Sequence, residues 1–193
     1  MFDFAPDHNQ ETDLKLSSGC CRGMLYAAVS FAVVSIIAYS IWAFRLVPGR
    51  YPMFASVAVI YLALSGFALG QLVVKPGRAL KFSLFFALSF LVYAIFYCVF
   101  WFGLKGKFHG DLYGSFVGLA VMTWMFRKAF ASKAPFLPLF AVLFTCHTLG
   151  YYLGGEAHAL VSGPIGRLLW GAAHGLGFGA GLGYLLNNCQ APE

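Results

Sequence analysis

Residues Gly171–Gly183, GAAHGLGFGAGLG, lie within the apolar run 165–186, and their reading decides the fold. Six of these thirteen residues are glycine and one is His174. In a water-soluble helix each glycine costs about 0.5–1 kcal/mol relative to alanine. In lipid, apolar side chains gain little by leaving an already apolar solvent, and small residues let two backbones approach closely enough to pack. The stretch therefore reads as a membrane helix seated against its neighbours.

The rest of the chain agrees with that reading. Of its 193 residues 60% are hydrophobic, 18% aromatic and only 10% charged, which lies outside the range of water-soluble domains. The net charge of +6 sits almost wholly between the apolar runs. There it serves as a topology signal, so nucleic-acid binding is excluded as a reading. Five cysteines form no CxxC pair and no zinc spacing. Cys98 and Cys146 read as small buried side chains, and Cys20, Cys21 and Cys189 as unremarkable thiols sharing one membrane face. The run LSSGC before the first span follows an acidic tail carrying Asp3, Asp7, Glu11 and Asp13, so no cleaved signal peptide is read.

Apolar runs at 24–44, 53–74, 82–102, 112–126, 136–155 and 165–186 predict an all-α polytopic bundle of six transmembrane helices. A polar tail, 1–23, precedes the membrane domain 24–186, and a short tail, 187–193, follows it. About 20 helical residues cross a hydrocarbon core, and five runs reach that length. Pro48, Pro52, Pro76, Pro135, Pro138 and Pro164 punctuate the gaps. Eight basic residues (Lys15, Arg22, Lys75, Arg78, Lys81, Arg127, Lys128, Lys133) fall on the side of the termini, against five (Arg45, Arg50, Lys105, Lys107, Arg167) opposite. By the positive-inside rule both termini are cytoplasmic, and the expected location is a cell inner membrane. Trp42, Tyr51, Trp101, Tyr113 and Trp170 would form the outer aromatic belt. Aromatic residues crowd the third span on nearly every face, which suggests that it faces lipid or a partner subunit.

The fourth run is short, 15 residues between Asp111 and Arg127, and its approach GLKGKFHGDLYGS is glycine-rich. It reads as a short central helix entered from the outer face. Gly110, Gly114 and Gly118 give it a smooth face, and Gly171, Gly175, Gly179 and Gly183 give the sixth helix a matching one. The expectation is that these two faces pack together, with Phe178 off the seam and tolerant of replacement by leucine.

Polar groups within lipid are functional candidates. His147 and His174 lie about 8 and 9 residues from the outer ends of their runs, at nearly the same depth with a rise of about 1.5 Å per residue. His147, Tyr151 and His158 share one face of the fifth helix, with Glu156 nearby. These residues admit several readings: interhelical hydrogen bonds only, axial ligands of a b-type haem, a quinone site, or a metal site using His147, Glu156, His158 and His174. A small-molecule transporter is a further alternative, against which stands the absence from every span centre of the carboxylate or lysine that ion-coupled transport usually needs.

Ala173, His174, Gly177 and Gly181 spell AHxxGxxxG, which resembles the last core helix of the rhomboid intramembrane serine proteases. The resemblance implies His174 as general base and Ser115, following Gly114 near the start of a short fourth helix, as nucleophile. The family pattern GxSG is here Gly114, Ser115, Phe116 in its last three places, with phenylalanine where the second glycine belongs. The second span also offers no histidine or asparagine for an oxyanion site. The motifs together favour a non-catalytic subunit or scaffold of a larger membrane assembly, whose partners are the bilayer and other protein chains or copies of itself.

Overall fold

The structure, a computed structural model, describes Phe2, Phe4 and residues 20–73 and 79–190, apart from the side chains of Cys20 and Ala79. The acidic tail residues and the loop carrying Lys75, Pro76 and Arg78 lie outside the described residues. The described residues form six helices: α1 Cys20–Ala43, α2 Arg50–Gly70, α3 Ala79–Gly103, α4 Gly110–Ala129, α5 Phe136–Val161 and α6 Gly163–Gln190. Among the described residues there is no strand.

Four helices, α1, α2, α3 and α5, are long and apolar enough to cross a membrane. Their outward faces are as apolar as their inward ones. On α3 the exposed stripe is Leu80, Leu84, Leu88, Leu91, Ile95 and Val99, and on α1 it is Leu25, Val29, Val33, Ile36 and Ile37. A bundle that turns leucine, valine and isoleucine outward at helical spacing is built for a lipid solvent. The protein is a membrane-embedded helical bundle.

The helix ends differ from the apolar runs for a physical reason. Helix α4 has 20 residues, with Asp111 in its first turn and Arg127 and Lys128 in its last. Carboxylates at a helix N-terminus and cations at its C-terminus are favoured by the macrodipole, so charges that bound the apolar run lie inside the helix. The fourth helix is thus not the short element expected from its apolar run. Helix α5 runs on to Val161 and α6 begins at Gly163, leaving Ser162 alone between them at φ 53°. Pro164 falls in the first turn of α6, where its missing N–H costs nothing. The last four residues of the expected N-terminal tail, 20–23, belong to α1, and the first four of the expected C-terminal tail, 187–190, belong to α6.

The six helices close into a ring in which each packs on the next: α1 on α2, then α3, α4, α5, α6 and back to α1. The α1–α6 and α5–α6 contacts are the most extensive, α4–α5 is the slightest of the ring, and α4 touches α6 only marginally. The expected pairing of α4 with α6 is therefore corrected, as is the central place of α4. Gly171, Gly175, Gly179 and Gly183 face α1. A Cβ added at Gly175 would lie 2.5 Å from the Ala32 Cα, and one at Gly183 2.8 Å from the Met24 Cα. Gly110, Gly114 and Gly118 instead face α3, where a Cβ at Gly114 would lie 2.7 Å from the Tyr97 Cα. A glycine every fourth residue defines a smooth face but does not name its partner. Small residues Ala27, Ala28, Ala32 and Ser35 on α1 supply the complement. The other flank of α6 meets α5, with Gly177 against Cys146 and Gly150.

Within the ring, the end that carries both termini is filled by large apolar side chains. Phe82, Phe86, Phe126, Phe130, Leu182, Leu185 and Leu186 are almost wholly buried. The amino terminus joins them: Phe4 is 4% exposed, stacks on Phe130 at 5.1 Å, and donates its backbone N–H to the Ala129 carbonyl at 2.8 Å. Aromatic side chains of α3 thus line the core rather than facing lipid on every side. Phe82, Phe86, Phe90, Tyr93 and Tyr97 form the inward stripe, opposite the leucines.

Candidate functional site

Farther from the termini the centre of the ring changes character, from phenylalanine to tyrosine, histidine and tryptophan. Spacing by four along three helices places these side chains together: Tyr93 and Tyr97 on α3, His147 and Tyr151 on α5, and Trp170, His174 and Phe178 on α6. Tyr39 and Trp42 reach in from α1, with ring centroids 6.2 Å (Tyr39) from His174 and 5.8 Å (Trp42) from Trp170.

The structure brings His147 and His174 together, edge to face, with ring centroids 5.1 Å apart. Phe178 sits between their helices and packs on both, at 4.8 Å from His147 and 5.9 Å from His174. It is fully buried and touches Phe31, Phe90 and Tyr93 as well. That burial weighs against the expected tolerance of leucine, because Phe178 is the keystone between the phenylalanine core and the imidazoles.

Two hydrogen-bonded pairs tie α3 to α5 across the ring. The Tyr93 hydroxyl lies 2.8 Å from Nε2 of His147, and the Tyr97 and Tyr151 hydroxyls are 3.0 Å apart. Both pairs are 54 residues apart in sequence, so the two helices meet in one register over successive turns. At the rim, the Tyr152 hydroxyl donates to Asp111 at 3.3 Å.

Several buried polar atoms have no partner: Nδ1 of His147, both ring nitrogens of His174, and Nε1 of Trp170. His147 is 2% exposed. His174, Trp170, Tyr97, Tyr151 and Tyr39 keep part of their surface uncovered, unlike the phenylalanines below them. A buried donor or acceptor left unpaired costs about 1–3 kcal/mol, and in a native structure it asks for an explanation such as water, an ion or a ligand.

The other residues singled out in the sequence fall apart from this cluster or into different company. Ser115 is 3% exposed and both nitrogens of His174 stand without a partner, so the two side chains are not hydrogen-bonded and no serine–histidine dyad is assembled. His158 packs between Trp42, at 5.5 Å, and Trp170, at 5.7 Å, and Glu156 is exposed. Among the described residues no three His, Cys, Asp or Glu side chains gather into a set that could hold a metal ion. Imidazoles in edge-to-face contact, with Phe178 packed on both, leave no gap for a haem macrocycle between them. Cys98 is exposed on the outside of α3 rather than buried, and Cys189 is buried while Cys21 is exposed. Trp42 and Trp170 turn inward, leaving Tyr51 and Tyr113 exposed at the same end.

Arg167 explains itself locally. Its Nη1 donates to the Trp42 and Ala43 carbonyls at 3.2 and 3.3 Å, capping the C-terminus of α1, and its guanidinium lies 4.9 Å over the Trp42 ring.

Sequence reasoning missed Tyr93, Tyr97, Tyr39 and Trp170 as parts of the site. For the two tyrosines of α3 the signal was present: aromatic residues at 82, 86, 90, 93 and 97 follow helical spacing, with leucines on the other face. No family model matches the chain, and no curated protein or solved structure matches it. Fold and site define a membrane-embedded six-helix bundle with an imidazole–phenol cluster in its interior.

Proposed function

We propose that the protein is a six-span cell inner-membrane protein with both termini in the cytoplasm. In this reading it serves a larger membrane assembly as a non-catalytic subunit that holds a small molecule beside His147 and His174. The observation that carries the reading is the set of unpartnered nitrogens on His147, His174 and Trp170, inside a ring whose other half is packed tight with apolar side chains. Such groups lower stability unless something completes them, and sites of that kind are kept where they serve function. The protease alternative has less behind it, because neither ring nitrogen of His174 is hydrogen-bonded to Ser115 or to any other side chain.

Purification in mild detergent tests the reading. Extraction and mass spectrometry of the wild type should yield a bound small molecule in near-stoichiometric amount, lost in His174→Phe, along with partner chains on a native gel. A monodisperse monomer carrying neither would overturn the proposal. Proteolytic activity abolished by Ser115→Ala would replace it with the rhomboid-like reading. For topology, cysteines introduced beside Arg78 and Lys133 in a cysteine-free background should be shielded from an impermeant thiol reagent in intact cells. Those beside Arg50 and Lys107 should be labelled, and the reverse pattern would invert the orientation.

A further inference from the structure

The chemistry lining the imidazole cluster restricts what it holds. Resting on the binding reading above, we infer that the occupant is an uncharged, planar carbonyl compound of the quinone type.

Charge is the first filter. The rings around His174 are Tyr39, His147, Tyr151 and Phe178, with Trp170 one turn away, and none carries a formal charge when the histidines are neutral. Arg167 is turned to the end of α1, and Asp111 to Tyr152 at the rim. A charged ligand moved into this interior would lose its hydration with no counter-charge beside it, at a cost of several kcal/mol.

Donor count is the second filter. The Trp170 indole N–H can only donate. Of the two hydroxyls in the Tyr97–Tyr151 pair, one proton is used within the pair and the other is free to be given elsewhere. With the Tyr93 phenol donating to Nε2 of His147, the unpartnered Nδ1 carries the proton and is also a donor. A site with a surplus of donors selects acceptors, and carbonyl oxygens are neutral acceptors with two lone pairs.

Shape is the third. The imidazole, phenol and indole rings meet one another edge to face or tilted at 5.1–5.8 Å and leave no gap between them. The part-uncovered rings of Tyr39, Tyr97, Tyr151, Trp170 and His174 instead give a flat π-system an aromatic surface to lie against.

The test uses the full chain in detergent and four probes of one size: 1,4-naphthoquinone, naphthalene, naphthalene-2-carboxylate and a naphthyl-trimethylammonium salt. Binding is read by thermal shift and by quenching of tryptophan fluorescence, with Trp170→Phe as the control for the reporter. The quinone should bind at least about tenfold more tightly than naphthalene, equivalent to about 1.4 kcal/mol, and the two charged probes should not bind measurably. His174→Gln, which keeps a polar side chain of similar reach, checks that any loss of binding comes from the site and not from unfolding. It should melt like the wild type and weaken the quinone by about the same tenfold factor. If a charged probe or the bare hydrocarbon binds as well as the quinone, and His174→Gln weakens it, the site stands and the ligand class is wrong. If no probe binds, and the wild type yields no extracted molecule, the class and the binding reading fall together.

Discussion

The two halves of the ring's interior are built from similar rings and reach opposite states. At the end of the termini, Phe82, Phe86, Phe126 and Phe130 interlock at centroid distances of 6.1–6.5 Å and leave almost no surface uncovered. Phe4 folds back over them and is held by the Ala129 carbonyl. At the other end Tyr39, Tyr97, Tyr151, Trp170 and His174 are only part-buried, and nitrogens of Trp170, His147 and His174 lack partners. The difference lies in the polar tips. A phenylalanine can be packed from every side at no cost, whereas a phenol, an indole or an imidazole must also find a hydrogen-bond partner. Dense packing belongs to the half that holds the bundle together, and incomplete satisfaction to the half where a guest would sit.

That contrast predicts unequal costs for the same operation. Phe86→Ala should lower stability by about 3–5 kcal/mol, the usual result of emptying a dense core. Tyr97→Ala, in the looser half, should cost about half of that or less. Thermal melts in detergent resolve the difference, since each kcal/mol moves the midpoint by about 2–4 °C for a chain of this length. Equal losses at the two positions would mean that the two halves are equally packed, and the contrast would be broken.

A smaller pair of substitutions sharpens the same comparison at the backbone. A Cβ at Gly66, beside the dense half, would lie 2.5 Å from the Ser83 Cα, so the backbone of α3 would have to move. A Cβ at Gly155 would meet nothing closer than the Trp170 ring at 3.9 Å, an ordinary contact. Gly66→Ala should cost about 1–3 kcal/mol through overpacking, while Gly155→Ala should gain about 0.5–1 kcal/mol from helix propensity. Melting points that move in the same direction would deny the difference in clearance.

How much of this could be read from the chain follows from what each signal encodes. Apolar length and punctuation give the helices, and the depth of His147 and His174 from their span ends brings them to one level. Helix ends were misplaced at α4, because Asp111 and Arg127 are stabilised within the helix by its dipole rather than excluded from it. Partner choice was misread because a glycine face is symmetric in its demands. Gly175 fits any backbone that approaches it, and only the small residues of α1, unremarked in the sequence, select Ala32. Tyr93 was hidden in a different way. Its role depends on His147, 54 residues on, and no local pattern reports a contact over that distance.

The smallest expected effect separates the two histidines from each other. His147 is buried in a satisfied bond: its Nε2 lies 2.8 Å from the Tyr93 hydroxyl. Replacing it by leucine removes the acceptor and strands the phenol in the interior, which should cost about 1–3 kcal/mol. His174 has no such partner at either nitrogen. Leucine there removes two unpaired polar atoms and returns an apolar side chain of similar bulk, an exchange that is about neutral or slightly stabilising in the empty protein. The prediction is therefore a melting point lowered in His147→Leu and unchanged or raised in His174→Leu. Stability gained together with loss of the extracted small molecule would mark His174 as a residue kept for binding against the interest of the fold. A loss in His174→Leu as large as that in His147→Leu would show that both its nitrogens are already bonded to ordered water. The interior would then be a hydrated structural network rather than a place made for a guest.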